Sequence, residues 1–377
     1  MLNVLAYVHL RRIVRSTGAG RIARCLTEHL SRLPGVDVRI LGDSGDYRQI
    51  ADEAGPGWTR LRHHLFDRQT SVQQALWLFL ARPEAESFWP DVQVTFCTSE
   101  SYVPVKRSRL LVVLNDAAHM EKGIHPEGAA LWKQRLKWNY LYRVLEHKAD
   151  AFLTSSQFSA ERLSHFRPAV RNRLHVIPHG VAPCFFEPPT AEACAAVRAL
   201  GLEEGRFVML PSGLDHRKNA ELVLDAWPII LESAPEWKLI VTSNASDPAY
   251  ASRARALGGS IVIPGHVDDD VMRALYHLAA VVWFPSRYEG FGLPVLEAMA
   301  CGAPVVASRA ASLPEVAGDA ALLAPPDDRG AHIDAIRSIA TDAQAAAPYR
   351  LRGPQRAREF DWSRSAADLK RLMERVI

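Results

Sequence analysis

The sequence predicts an α/β protein made of two Rossmann-like domains, and three observations carry that expectation. Short apolar, β-prone runs alternate with helix-patterned stretches in both halves of the chain, the mark of parallel sheets. A proline-rich stretch, Val181-Ala182-Pro183 through Glu187-Pro188-Pro189, separates the two series. Glycine-containing turns follow strand candidates and open helices in each half, where phosphate or sugar can be held.

In the first series the strand candidates are Val4 to Val8, Val36 to Leu41, Val92 to Cys97, Leu110 to Leu114, Ala151 to Thr154 and Leu174 to Ile177. Helical patterns lie between several of them, with Ile22, Leu26, Leu30 and Leu33 on one face and Gly128 to Lys148 the clearest. The second series runs through Phe207 to Leu210, Lys238 to Thr242, Ile261 to Ile263, Val281 to Phe284 and Val305 to Ala307. Asp361-Trp362-Ser363 then starts a capped amphipathic helix with Ala366, Leu369, Leu372, Met373 and Val376 apolar. The expected domains are residues 1–183, joined by 361–377, and residues 184–360.

A chain of 377 residues with 48% hydrophobic and 23% charged residues suits such a pair of globular domains. No apolar run approaches the roughly eighteen residues of a membrane span. The start, MLNVLAYVHL, has no charge ahead of its apolar part and reads as a strand rather than a signal peptide. Five scattered cysteines without a Cys-x-x-Cys imply reduced thiols and a cytoplasmic setting, and argue against a disulfide framework or a zinc site. Net charge is +3, yet residues 1–183 hold 25 Lys+Arg against 17 Asp+Glu, and residues 184–377 hold 20 against 25. The basic half suits anionic lipid headgroups or a phosphorylated acceptor, and equally a general abundance of arginine. Trp132, Trp138, Tyr140 and Tyr142, interleaved with Lys133, Arg135, Lys137 and Arg143, fit a membrane interface or a core face backed by a solvated one. No nucleic-acid partner is expected.

The richest stretch is Val281 to Ala300, VVWFPSRYEGFGLPVLEAMA. A buried strand ends at Pro285, a loop carries Glu289-Gly290-Phe291-Gly292, and Leu293-Pro294 opens a helix where proline is tolerated. The free N–H groups of that first turn suit a pyrophosphate, and Gly290 and Gly292 would let the backbone approach it. Glu297 is expected about two helical turns below Glu289, so the two carboxylates could grip hydroxyls at opposite ends of a long ligand such as a nucleotide sugar. Ser212-Gly213-Leu214-Asp215-His216-Arg217-Lys218-Asn219 occupies the corresponding turn after the first strand of the second series. Arg217 and Lys218 oppose the helix dipole there, an odd place for two cations unless an anion joins them. Asp268-Asp269-Asp270 superficially matches a metal-binding Asp-x-Asp, but acids at a helix start are favourable without metal.

These motifs, continued by Cys301-Gly302-Ala303-Pro304-Val305-Val306-Ala307 and Ser312-Leu313-Pro314-Glu315-Val316, resemble retaining glycosyltransferases of family 4, which have the GT-B fold. Within that family the chain looks like bacterial mannosyl- or rhamnosyltransferases of polysaccharide assembly. The resemblance implies two domains facing across a cleft, with the last helix crossing back to the first domain. It places Lys218 and Arg217 on the donor's phosphates, Glu289 on sugar hydroxyls and Glu297 on the ribose, with Gly213, Gly290, Phe291, Gly292 and Leu293 lining the donor. His266 and Val267, in Ile263-Pro264-Gly265-His266-Val267, would read the nucleobase through their backbone. Gly18 and Gly20, in Ser16 to Arg21, would close over the donor from the other domain. Asp116 and His119 would take the acceptor side, although Asn115 stands where the family often has His. Some members also carry an arginine where Ser212 and Gly213 stand. The implied donor is a nucleotide sugar, GDP-mannose first, and the acceptor a glycan or lipid-linked hydroxyl, with peripheral contact to an anionic membrane and no metal or other cofactor. A nucleotide-sugar-binding regulatory protein without turnover, a UDP-sugar transferase, a two-carboxylate hydrolase and an epimerase are the competing readings.

Overall fold

The computed structural model describes residues 1–10, 18–50, 58, 60–125, 129–245, 247–265 and 267–377. The chain forms two compact units: Met1–Met120, Gly128–Gly180 and Asp361–Ile377 make the first, Glu121–Glu127 and Val181–Phe360 the second. Each is built on one parallel sheet.

The sheet of unit 1 has seven strands: β1 (Leu2–Tyr7), β2 (Val36–Asp43), β3 (Arg62–Phe66), β4 (Val94–Cys97), β5 (Arg109–Val113), β6 (Ala151–Thr154) and β7 (Leu174–Val176). Their order is β3-β2-β1-β4-β5-β6-β7, and the register sets Val4 opposite both Val38 and Val94. Because side chains alternate along a strand, the sheet feeds two cores. Val4, Ala6, Ile40 and Phe96 pack on Leu26 and Leu30 of the Gly18–Ser31 helix. Leu5, Tyr7, Leu41 and Cys97 pack on Trp77 and on Leu141, Tyr142 and Leu145 of the Ala129–Lys148 helix. The sequence pattern does not anticipate β3, since Arg62-His63-His64-Leu65-Phe66 has no apolar run. As an edge strand it needs none, and its pairing with β2 holds it.

The final helix, Trp362–Val376, belongs to unit 1, where Trp362, Ala366, Leu369, Leu372 and Met373 join the first core. Asp361 caps it by accepting from Ser363 N. At Gly180 a Cβ would stand 2.2 Å from Trp362 N, so the chain passes there too closely for any side chain.

Unit 2 has β8 (Phe207–Leu210), β9 (Lys238–Val241), β10 (Ile261–Val262), β11 (Val281–Phe284), β12 (Val305–Ser308) and β13 (Leu322–Ala324) in the order β10-β9-β8-β11-β12-β13. Every residue of β8, β11 and β12 is buried, as expected of parallel strands covered on both faces. β13 is only three residues long, too short for periodicity to mark it. The proline-rich stretch holds a 3₁₀ turn, Pro183–Phe186, and the next helix, Ala191–Ala199, is capped by Thr190. All five cysteines are free thiols. No described helix is long and apolar enough to cross a membrane.

Candidate functional site

In unit 2 the chain winds outward in opposite directions from β8 and β11, which lie side by side. The crevice beyond the carboxyl ends of two such strands is where open α/β sheets bind ligands. The turn after β8 carries Ser212 to Asn219, and the turn after β11 carries Pro285 to Gly292. Backbone and buried polar contacts fix the two turns against each other. Asn219, in the left-handed conformation at φ 64°, donates through Nδ2 to Pro285 O at 3.1 Å and Pro326 O at 2.7 Å. Arg287 N donates to Arg217 O at 2.9 Å. Asp215 Oδ1 accepts from Lys218 N at 2.9 Å, and Ser312 Oγ lies 2.9 Å from the carbonyl oxygens of both Glu289 and Phe291.

This frame brings the expected charged residues together. Lys218 Nζ is 2.5 Å from Glu289 Oε1, and an Arg217 guanidinium nitrogen is 3.2 Å from Glu289 Oε2 and 3.1 Å from Tyr288 O. Lys218 also sits over the Phe284 ring, 4.8 Å from its centroid. Burial pushes the Glu289 carboxyl up, but the adjacent Lys218 and Arg217 charges outweigh it and hold the group below its ordinary 4.5. Burial draws Lys218 below its ordinary value, with Glu289 opposing and Arg217 adding to the shift. The sequence suggests two cations awaiting an external anion; the structure supplies an internal one. Two cations and one carboxylate leave the cluster with one formal positive charge.

Two further expectations change. The helix begins at Leu293, so Glu297 lies little more than one turn into it rather than two turns below Glu289. Glu297 is buried there and accepts from Tyr276 OH at 3.3 Å. The glycines also serve packing within the chain. Gly292 sits at φ 102°, where its Cβ would meet Leu313 Cδ2 at 2.7 Å, and a Cβ on Gly213 would stand 2.4 Å from Asn244 O. Phe291 is buried edge-on to Phe360 at 5.7 Å, and Leu293 belongs to the core. Gly290 and Val267 are half-buried. His266 lies outside the described residues. Asp268 caps the Asp269–Leu278 helix, its Oδ1 accepting from Val271 N at 2.8 Å, with Asp269 and Asp270 in the first turn.

Unit 1 holds the remaining candidates. Gly18 and Gly20 already belong to the Gly18–Ser31 helix instead of a loop ahead of it; Ser16 and Thr17 lie outside the described residues. Asp116 Oδ1 accepts from Ala118 N at 2.8 Å in the turn after β5. The His119 ring packs against Trp138 at 5.1 Å and Tyr142 at 5.5 Å. Sequence reasoning misses Glu100, whose carboxylate accepts from Asn115 N at 2.6 Å and Asn115 Nδ2 at 2.8 Å. Burial pushes that carboxyl above its ordinary range, the Asn115 donors resist, and nearby Asp116 adds to the rise. It also misses His9, whose Nε2 lies 2.7 Å from Ser101 Oγ. The available signal was position: both residues stand two or three places past the end of a strand.

Residues 206–342 match the model of the family described as Glycosyl transferases group 1, and that segment contains Arg217, Lys218, Glu289 and Glu297. That segment is thus similar to a glycosyl transferases group 1 domain. The chain is 29% identical over 279 residues to the O-antigen chain mannosyltransferase B of Escherichia coli, covering 69% of each protein. It is 32% identical over 177 residues to the phosphatidyl-myo-inositol mannosyltransferase of Mycolicibacterium smegmatis, covering 46% of each. Against the Serotype-specific mannosyltransferase WbdA of Escherichia coli the match spans only 21% of the relative's length. Among solved structures, the sucrose-phosphate synthase of Thermosynechococcus elongatus aligns with TM-score 0.75 and 20% identity over 100% of this chain and 99% of its own. Anabaena HepE in complex with UDP-glucose aligns with TM-score 0.74 and 17% identity, over 98% and 99%. The two Rossmann-like units of this chain are thus those of the GT-B fold.

Proposed function

We propose that the chain is a retaining glycosyltransferase that moves mannose from GDP-mannose to a hydroxyl of a glycan or lipid-linked acceptor, with no metal ion required. The observation that carries this reading is the Lys218–Glu289–Arg217 cluster at the switch point of the group 1 domain. Mannose is preferred over other sugars because the relatives cited above are named mannosyltransferases. The free thiols suit work in the cytoplasm, and the basic first half suits its membrane face.

Glu289 neutralises part of the charge of Lys218 and Arg217. A diphosphate carries more negative charge than one carboxylate and competes for both cations. Glu289, released, accepts from sugar hydroxyls, and Glu297 accepts from the ribose. Gly213, Gly290, Phe291, Gly292 and Leu293 line the donor, and His266 and Val267 meet the base through their backbone. Asp116 and His119 orient the acceptor. When the bond between the anomeric carbon and the phosphate oxygen breaks, negative charge grows on the leaving diphosphate. Lys218, Arg217 and the positive end of the helix that starts at Leu293 stabilise such charge and lower the barrier. The acceptor oxygen bonds to the anomeric carbon on the same face, and its proton passes to the departing phosphate.

The test is a thermal-shift panel of GDP, GDP-mannose and UDP sugars, followed by transfer assays with and without EDTA and anomer assignment of the product. Lys218→Ala is expected to remove transfer from a chain that still folds. Turnover near that of the parent in this variant defeats the assignment, and stabilisation by UDP sugars alone overturns the choice of donor.

A further inference from the structure

Unit 1 contains a half-open, mostly apolar cavity of about 800 Å³, within the range of small-molecule sites. Part of its lining lies at the carboxyl ends of the strands, where His9 follows β1 and where Gln69, Thr70, Ser71 and Gln74 follow β3 at the start of the Thr70–Leu80 helix. The rest is walled by Leu78 and Phe79, two turns further along that helix, and by Leu136 and Tyr140 of the Ala129–Lys148 helix.

The two helices do not spend all their apolar residues on the core. Trp132, Leu136 and Tyr140 recur every fourth position and form one exposed stripe. Phe79 is 71% exposed and stacks on Tyr140, itself 44% exposed, at 5.6 Å. Of the eleven exposed large apolar side chains among the described residues, six lie on these two helices. Scattered singly, such residues need no explanation, but a cluster around a cavity marks an interaction surface. The cavity lining also includes Lys137, and exposed Lys133 lies one turn before it. A mostly apolar cavity with an ammonium group in its wall complements one kind of molecule, an amphiphile with a hydrocarbon chain and an anionic head. A bilayer surface calls for a flat or convex apolar face; a concave one encloses a single chain.

We propose that this groove receives the hydrocarbon chain of a phosphate-bearing lipid acceptor, with the chain along Leu78, Phe79, Leu136 and Tyr140 and the phosphate at Lys137. It rests on the transferase reading, for which it selects a lipid-linked acceptor over a free glycan.

The experiment is calorimetric titration of the full chain, without nucleotide, using dodecyl phosphate below its micelle concentration. One saturable site is expected. Phe79→Ser with Leu136→Ser, both at exposed positions, is expected to weaken binding about a hundredfold, since each lost contact with a hydrocarbon chain is worth about tenfold. Lys137→Glu is expected to weaken dodecyl phosphate while sparing dodecyl maltoside. No saturable binding, or equal binding by all variants, overturns the proposal. So does co-sedimentation with phosphatidylglycerol vesicles in the absence of monomer binding, which would make the surface a bilayer contact. Because no donor is present, a loss of transfer with lipid binding intact strikes only the transferase reading. Transfer to a soluble glycan without lipid binding strikes only this one.

Discussion

Replacing Glu289 by Gln tests the charged cluster most directly. It removes the carboxylate that lies 2.5 Å from Lys218 and 3.2 Å from Arg217, and leaves two cations facing each other. Removing one partner of a buried ion pair costs about 3–5 kcal/mol. The Lys218 and Glu289 side chains are 13% and 10% exposed, so most of that cost applies, while Arg217, 28% exposed, recovers some solvation. The low end, about 3 kcal/mol, is the expected loss, and it corresponds to amide exchange on the order of a hundredfold faster in the most protected strands. Native-state hydrogen exchange at β8 and β11 reads it without assuming that the whole chain unfolds in one step. Lys218→Met leaves Arg217 to hold Glu289, so it is expected to cost about 1–2 kcal/mol less. Pyrophosphate should restore protection to the Glu289→Gln variant more than to its parent, because the freed cations bind it. Exchange within about threefold of the parent, with no pyrophosphate effect, would show that the three side chains do not act as a unit.

Acidification probes the same cluster. Glu289 titrates below 4.5 in the folded chain, so its contribution is complete above that pH and is lost as pH falls through the lower folded value. Protection of β11 should drop there in the parent and stay level in Glu289→Gln. Gly213→Ala forces a methyl to within 2.4 Å of Asn244 O and is expected to cost about 1–3 kcal/mol, read as a shifted urea midpoint and weakened nucleotide binding. Gly180→Ala meets Trp362 N at 2.2 Å and should expose the last helix to limited proteolysis; unchanged cleavage would contradict that packing. Asp268→Ala is expected to cost about 1 kcal/mol as a lost helix cap and to leave the response to EDTA unaltered.

The sequence pattern revealed the strands that are buried on both faces, because continuous runs such as Val281 to Phe284 admit few alternatives. It did not reveal β3, whose Arg-His-His sequence is tolerated only because the strand lies at the sheet edge. The turns bearing Lys218 and Glu289 were legible, and the resemblance set both on one donor, but their direct union in an ion pair was not legible, because the contact spans 71 residues of chain. That union alters the electrostatics, since the cations are already answered from within. The packing role of Gly213 also lies beyond local pattern, for it depends on Asn244, which follows a different strand. Glu100 and His9 stayed hidden because neither belongs to a recurrent motif. Only the fold shows what they touch.

The place of the Trp362–Val376 helix has a consequence for synthesis. The second unit is complete once residue 360 has left the ribosome, whereas the first still lacks one wall of its hydrophobic interior. Until residues 362–376 emerge, Val4, Ala6, Ile40 and Phe96 belong to an unfinished packing layer, so the part of the chain translated earliest is the last to mature. Nascent chains stalled shortly before that helix should therefore carry a settled second unit and a sticky first one, the form most exposed to chaperones and to aggregation.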